Sequence, residues 1–198
     1  MTVKNIIFDL AGVVFSRDRQ YTPGEILEYF SFINSKEEMP LFWQNYDLGI
    51  WTSDQVAGAL AELRHDTASH AYYMMMQAVG YQREVQPTKE LIQRLKQSGF
   101  SLYVLSNMSR EYIDFLRKFP VYSLFDGDVV SCEVHLAKPS YRIYETIIAK
   151  YSLEREESIF IDDREENVVA AREVGMRGVL FDRNNPEESV RELSSILL

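Results

Sequence analysis

The chain has 198 residues, 46% of them hydrophobic, and a formal net charge of −9. This apolar content is enough to bury a core, which excludes a disordered protein and fits one α/β domain with an inserted segment. The negative charge argues against nucleic acids or anionic membranes as default partners, although local cations and a metal can still bind a small anion.

The first residues and the cysteine content predict an intracellular protein. The stretch MTVKNIIFDLAG is not a secretory signal, because Asp9 interrupts its apolar run and a strand signal begins almost at the first residue. No run approaches the roughly 18 apolar residues of a membrane helix. The single cysteine excludes an internal disulfide and suits a reducing compartment. We therefore expect a cytoplasmic protein without a membrane partner.

The N-terminal half changes character along its length. Residues 3–8 predict a buried strand, with Gly12 supplying a tight turn after it. From about Ser16 to Pro87, helical signals replace strand signals. Two segments there, Thr22–Glu25 and Thr52–Gln55, fit the capping box that opens a helix. This stretch predicts a helical insertion.

After Pro87, strands and helices alternate, which is typical of a parallel sheet with right-handed crossovers. The predicted strands are 100–105, 129–131, 158–161 and 178–181, and the predicted helices are 88–99, 109–119, one opened by Pro139, and 165–174. The fold class is therefore predicted as α/β, a Rossmann-like parallel-sheet core (1–15 and 88–198) with an inserted all-helical cap (16–87).

Polar residues follow three of the predicted strands. Asp9, Ser106 and Asp162 each end an apolar run. If these runs are parallel neighbours, the three residues meet at the carboxyl edge of the sheet, where open α/β sheets hold ligands. Taken alone, each is also typical of a helix cap or a loop.

The residue types at this edge suit metal-assisted phosphoryl transfer. Asp9 is a candidate nucleophile, because a carboxylate can form an acyl-phosphate intermediate. Adjacent Asp162 and Asp163 would repel each other without a cation, and Mg²⁺ prefers such oxygen ligands. Ser106 with nearby backbone N–H groups, and the ammonium of Lys138, are candidates for holding phosphate oxygens.

Together, the segments FDLAGV, LSN, AKPSYRIY and DDREENVVAA resemble the motifs of the haloacid dehalogenase-like hydrolase superfamily, over nearly the whole chain. The insertion resembles that family's type-one helical cap, and the motifs look most like its glucose-1-phosphate phosphatase-like branch. The resemblance implies hydrolysis of a small phosphorylated metabolite through an aspartyl-phosphate. It also implies Mg²⁺ as cofactor, bound by Asp9, the carbonyl of Ala11, and one or both of Asp162 and Asp163. Ser106, Asn107 and Lys138 would hold the phosphoryl oxygens.

Ala11 departs from the family pattern. Most phosphatases of the superfamily carry a second aspartate there as general acid and base, and alanine cannot transfer a proton. Such help is commonly worth about a hundred- to ten-thousand-fold in rate. Activated esters such as glycosyl phosphates are therefore expected to be preferred over alkyl phosphates, unless another group substitutes. Two alternatives stay open: a silent descendant that binds Mg²⁺ and a phospho-ligand, and a 2-haloacid dehalogenase in which Asp9 attacks carbon.

Arg17 and Arg19 follow the first motif, where the chain leaves the predicted core. Two interpretations fit them: contact with the substrate, or ordinary solvated surface residues.

Overall fold

A parallel sheet of five strands, in the order β5-β4-β1-β6-β7, forms the centre of the molecule, which confirms the predicted α/β class. The structure is a computed structural model that describes residues 2–17, 20–34 and 39–198. The strands of this sheet are β1 Asn5–Phe8, β4 Ser101–Ser106, β5 Gly127–Val130, β6 Ser158–Asp162 and β7 Arg177–Leu180.

The central strand β1 is buried along its whole length and pairs with β4 on one side and β6 on the other. Its side chains alternate between the two faces of the sheet and pack into a separate core on each face. Ile6 and Phe8 belong to the core on one face, and Ile7 belongs to the core on the other. A strand covered on both faces reads as a continuous apolar run, as Ile6, Ile7 and Phe8 do.

Helices cover both faces of the sheet. The helices of this region are α5 Gln86–Gln97, α6 Arg110–Leu116, α7 Ser131–Val134, α8 Tyr141–Tyr151, α9 Glu165–Glu173 and α10 Pro186–Leu197, with 3-10 turns at Pro120–Leu124 and Arg155–Glu157. The last helix, α10, was not predicted; it buries Val190 and Leu193 against the face that α5 covers. The helix predicted to open at Pro139 begins two residues later, and the Lys138–Pro139 peptide is cis.

A segment built mainly from helices lies between β1 and α5. We call residues 24–80 the helical segment. Its described elements are α1 Gly24–Tyr29, a 3-10 turn at Ser31–Asn34, α2 Leu41–Asp47, α3 Ser53–Arg64 and α4 Ala68–Gly80. Two short antiparallel strands, β2 Phe15–Arg17 and β3 Gln82–Glu84, close its ends. The prediction that this stretch is all helical was therefore wrong at its margins, where three-residue strands are too short to show a period in the sequence.

One of the two predicted capping boxes forms. The backbone N–H of Gln55 donates to the Thr52 hydroxyl at 3.3 Å, and the Gln55 side chain accepts from the Thr52 N–H at 2.9 Å. The prediction at Thr22 was wrong: α1 begins at Gly24 with Pro23 as its cap, and the buried Thr22 hydroxyl has no hydrogen-bond partner.

Within the described ranges, no helix combines the length and the apolar character needed to cross a membrane.

Candidate active site

Sheet order brings the predicted site residues together. Because β1 lies between β4 and β6 in a parallel sheet, Asp9, Ser106 and Asp162 all emerge at the carboxyl edge of three adjacent strands. Each follows a run of buried apolar residues. The three polar side chains are therefore themselves buried at the end of the sheet and are not exposed to solvent. The predicted convergence is therefore present.

The ammonium of Lys138 lies at the centre of the site. Its Nζ donates to Asp9 Oδ1 at 2.7 Å, to Asp162 Oδ2 at 2.6 Å and to the Leu105 carbonyl at 2.9 Å. The side chain is only 2% exposed. A buried charge of this kind is tolerable only when it is paired and hydrogen-bonded. Here all three of its N–H groups have acceptors.

Asn107 positions the loop that carries Lys138. Its side-chain N–H donates to the Lys138 carbonyl at 2.9 Å, and its side-chain oxygen accepts the Lys138 N–H at 2.8 Å. The prediction gave Asn107 a role on phosphoryl oxygens. In the structure its side-chain amide is hydrogen-bonded to the loop between α7 and α8, so that only its backbone N–H is left to donate to a ligand.

Three carboxylates surround the ammonium. Asp9, Asp162 and Asp163 each offer one oxygen, and these atoms all lie within 4.8 Å of one another. Carboxylate oxygens at this spacing are the ligands that Mg²⁺ prefers. The donor set therefore fits a hard divalent cation.

The two carboxylates of the acidic pair, Asp162 and Asp163, have different hydrogen-bond partners. Both oxygens of Asp162 are hydrogen-bonded, since the Asn167 side chain donates to each, and the Arg164 N–H and Lys138 supply the others. Asp163 accepts from Arg183 at 3.2 Å, and its other oxygen has no hydrogen-bond partner in the described part of the chain. Asp163 therefore has the freer carboxylate of the pair.

Electrostatics favour a cation at this site. Burial raises the pKa of Asp9 to about 7, Lys138 opposes this, and the other two carboxylates add to it. Burial also raises the pKa of Asp163. Burial lowers the pKa of Lys138, but the two carboxylates outweigh that effect, so its pKa is raised and it stays charged. A further positive charge would stabilise the anionic carboxylates.

The loop after β1 leaves room for Asp163. Gly12 has a φ of +86°, and a Cβ on it would lie 2.7 Å from Asp163 Oδ2. Ala11, next to it, is exposed, and among the described residues no donor reaches its carbonyl oxygen. The Ser106 hydroxyl is fully buried without a partner. Buried hydroxyls normally have one, so this group is available to a ligand oxygen.

A family model for haloacid dehalogenase-like hydrolases matches residues 3–175, most of the chain. The chain belongs to this family. It is an enzyme of the hydrolase class, and the predicted resemblance is confirmed at the level of the superfamily.

Two curated relatives are fungal. The chain is 28% identical over 180 residues to the sesquiterpene phosphatase astK of Aspergillus oryzae, covering 90% of this chain and 89% of the relative. It is 29% identical over 199 residues to the drimenol cyclase drtB of Aspergillus calidoustus, covering 98% of this chain but only 36% of that relative. Neither is a glucose-1-phosphate phosphatase, so assignment to that branch stays a prediction.

A solved structure shares the fold. The magnesium complex of a haloacid dehalogenase family enzyme from Bacteroides thetaiotaomicron superposes with a TM-score of 0.73 and 22% identity, over 91% of this chain and 93% of that one.

Several site residues lie outside the predictions. Asn167 fixes Asp162 from the first turn of α9, and Arg183 pairs with Asp163 from beyond β7. An asparagine five residues after Asp162 indicates a site residue only once the strand–helix turn is known. Of the two arginines after the first motif, Arg17 has its guanidinium carbon 5.8 Å from the centre of the Phe30 ring. Arg19 lies outside the described residues.

Proposed function

We propose that the chain is a Mg²⁺-dependent phosphatase that hydrolyses a small phosphate monoester through an aspartyl-phosphate on Asp9. The observation that carries this proposal is the group of three carboxylates around the buried Lys138 ammonium. The family match and the phosphatase among the relatives support the same reaction type.

Asp9, Asp163 and the Ala11 carbonyl are the groups that would hold Mg²⁺, because each offers an oxygen without a complete set of donors. The ion would neutralise charge on the phosphoryl group and on the nucleophile. Asp162 would hold the Lys138 ammonium in place and would not bind the ion, since its two oxygens already accept four hydrogen bonds. That a magnesium complex of the same fold has been solved supports this choice of cation.

The remaining residues position the phosphoryl group. An oxygen of Asp9 attacks phosphorus, the P–O bond to the alcohol breaks, and water then cleaves the acyl-phosphate. The Ser106 hydroxyl and the Asn107 backbone N–H would hold the phosphoryl oxygens through both steps, and Lys138, whose three N–H groups already have acceptors, would attract those oxygens through its charge. Positioning and charge neutralisation supply most of the catalysis in such transfers.

The helical segment and its flanks, residues 16–87, would act as a cap over the carboxyl edge that excludes bulk water and selects the substrate. The loop after β1 has no proton donor at position 11, so by itself it favours esters with good leaving groups, such as sugar 1-phosphates. The sesquiterpene phosphatase relative makes a sesquiterpene phosphate a second substrate to screen.

Dehalogenation is less well supported. A haloacid dehalogenase needs no metal, and Asp163 would then have no role in the site. A silent descendant would have no use for Asp9 as a nucleophile held by a buried lysine.

The test is release of p-nitrophenol from p-nitrophenyl phosphate, with and without Mg²⁺. The native chain is expected to show Mg²⁺-dependent release, and so is the control variant Asp54→Asn, which makes the same change at an exposed residue of α3. Asp9→Asn is expected to show no release above background. Release that is independent of Mg²⁺, or that survives Asp9→Asn, would contradict the proposal. Binding of phosphate without turnover by the native chain would favour the silent descendant.

A further inference from the structure

The loop between β4 and α6 carries one of the proposed phosphoryl contacts, the Asn107 backbone N–H. Residues 107–109 form this β4–α6 loop and have no regular secondary structure. Parallel pairing places Val130, the last residue of β5, opposite Ser106, the last residue of β4. Ser131, which begins α7, therefore lies beside the start of the loop at the carboxyl edge of the sheet, and it is fully buried.

The Ser131 hydroxyl joins this loop to the helical segment. It accepts a hydrogen bond from the Met108 N–H at 2.8 Å and donates its proton to the carbonyl of Asp47, the last residue of α2. The Met108 carbonyl is 3.5 Å from the same hydroxyl oxygen, which is longer than an O–H···O hydrogen bond usually is. The single hydroxyl proton therefore goes to Asp47.

The same loop is held from its other side by the segment that carries Lys138. The Asn107 side chain donates to the Lys138 carbonyl at 2.9 Å and accepts the Lys138 N–H at 2.8 Å. Two consecutive residues, Asn107 and Met108, are thus each bonded to residues 131–138. Hydrogen-bond donors stabilise developing charge most when their direction is fixed before the reaction begins. These bonds fix the direction of the Asn107 backbone N–H.

The end of α2 docks closely on α7. His135 Nδ1 donates to the Leu48 carbonyl at 2.8 Å. Gly49, at a φ of +67°, lies so close to the Cys132 backbone that a side chain would not fit. This docking brings the last carbonyl of α2 within reach of the buried hydroxyl on α7.

We infer that Ser131 is a positioning residue of the proposed phosphatase: its hydroxyl holds the β4–α6 loop in the direction that the phosphoryl group needs, and holds it most firmly while α2 is docked. This inference rests on the proposed function. A hydroxyl that donates one hydrogen bond becomes a stronger acceptor of another. The bond to the Asp47 carbonyl therefore strengthens the bond from the Met108 N–H. Docking of the helical segment and affinity for the phosphoryl oxygens are coupled through this one oxygen atom.

A hydroxyl that only stabilises the fold makes a different prediction, and Ser158 provides the matched control. Ser158 is also fully buried, and it begins β6, at the end of the sheet away from the site. Its hydroxyl accepts from the Asn5 side chain at 3.2 Å and donates to the Glu154 carbonyl at 2.7 Å. Ser158→Ala therefore removes the same number of buried hydrogen bonds as Ser131→Ala, but none of them reaches the β4–α6 loop.

The test measures the Kd of inorganic phosphate by calorimetry in saturating Mg²⁺, and kcat/KM for p-nitrophenyl phosphate. Ser131→Ala is expected to raise the phosphate Kd, and to lower kcat/KM, by about tenfold or more, because the loop donors lose their fixed direction. Ser158→Ala should leave both at the native value, and Ser131→Thr, which keeps the hydroxyl, should restore both. The Kd of Mg²⁺ measured without phosphate should be native in all three variants, because the Ser131 hydroxyl bonds to none of the three carboxylates.

The possible outcomes separate the inference from the proposed function. Equal effects of Ser131→Ala and Ser158→Ala, or a native phosphate Kd in Ser131→Ala, would overturn the inference and leave the proposed function standing. A native chain that binds phosphate but does not hydrolyse the ester would overturn the proposed function, and the phosphate Kd of the variants would still decide the inference. A native chain that does neither overturns both.

A second variant keeps the Ser131 hydroxyl and disturbs only the docking of α2. In Gly49→Ala, the new Cβ would collide with the Cys132 backbone and move the end of α2 away from α7. This variant should raise the phosphate Kd severalfold. Gly99→Ala, with a φ of +88° and open space around it, is its control and should keep the native Kd. A native phosphate Kd in Gly49→Ala would overturn the inference, and this pair decides it if Ser131→Ala does not fold.

Discussion

Replacing Lys138 with methionine tests how the site holds its charges. The substitution keeps most of the unbranched side chain but removes an ammonium that is 2% exposed and hydrogen-bonded to Asp9 and Asp162. Breaking a buried ion pair from one side typically costs about 3–5 kcal/mol, because the partner charges stay buried and unpaired. We expect Lys138→Met to lower the free energy of unfolding by about 3 kcal/mol in the presence of EDTA.

Mg²⁺ should recover part of this loss. With the ammonium gone, the carboxylates have no other buried cation among the described residues, so the variant should bind Mg²⁺ more tightly than the native chain. A ligand at a hundred times its Kd stabilises the folded state by about 2.7 kcal/mol. Phosphatase activity should still be lost, because nothing replaces Lys138 at the phosphoryl oxygens.

Urea denaturation with EDTA or with saturating Mg²⁺ measures both effects. Lys96→Met is the matched control, since Lys96 pairs with Asp126 at 2.6 Å but the two side chains are 34% and 40% exposed, and such pairs contribute about 1 kcal/mol or less. The reasoning fails if Lys138→Met is no more destabilising than Lys96→Met, or if Mg²⁺ stabilises Lys138→Met no more than the native chain.

Three further substitutions have defined outcomes. Gly12→Ala should weaken Mg²⁺ affinity about tenfold in calorimetry by displacing the second carboxylate of the acidic pair, whereas Gly99→Ala, with a similar φ of +88° but open space around it, should not. Arg117→Met should cost about 1–2 kcal/mol in urea denaturation at neutral pH. Arg117 lowers the pKa of Glu133 below its usual 4.5, so this difference should shrink as the pH falls below that value. Thr52→Ala should cost about 1 kcal/mol of unfolding free energy by removing the capping box; no change would contradict its role.

The sequence predicts those site residues that lie at the carboxyl end of a buried strand. Asp9, Ser106 and Asp162 each end a buried apolar run, and parallel pairing then fixes their convergence. Asn107 was predicted at the site but not its role, because its bonds to the Lys138 backbone join two loops 31 residues apart. No local pattern encodes a contact of that kind.

The two-stranded pair at the ends of the helical segment was not predicted, because three-residue strands are shorter than the window in which alternation can be detected. The C-terminal helix α10 was not predicted, although Val190 and Leu193 give it a buried apolar face.

The central claim is that Asp9 carries the phosphoryl group. The most direct measurement is acid quenching of the native chain during turnover of p-nitrophenyl phosphate with Mg²⁺, followed by mass spectrometry of the peptide that contains Asp9. We predict a peptide heavier by one phosphoryl group at Asp9, absent when Mg²⁺ is withheld. Turnover without any modified Asp9 peptide, or with the phosphoryl group on another residue, would contradict the account.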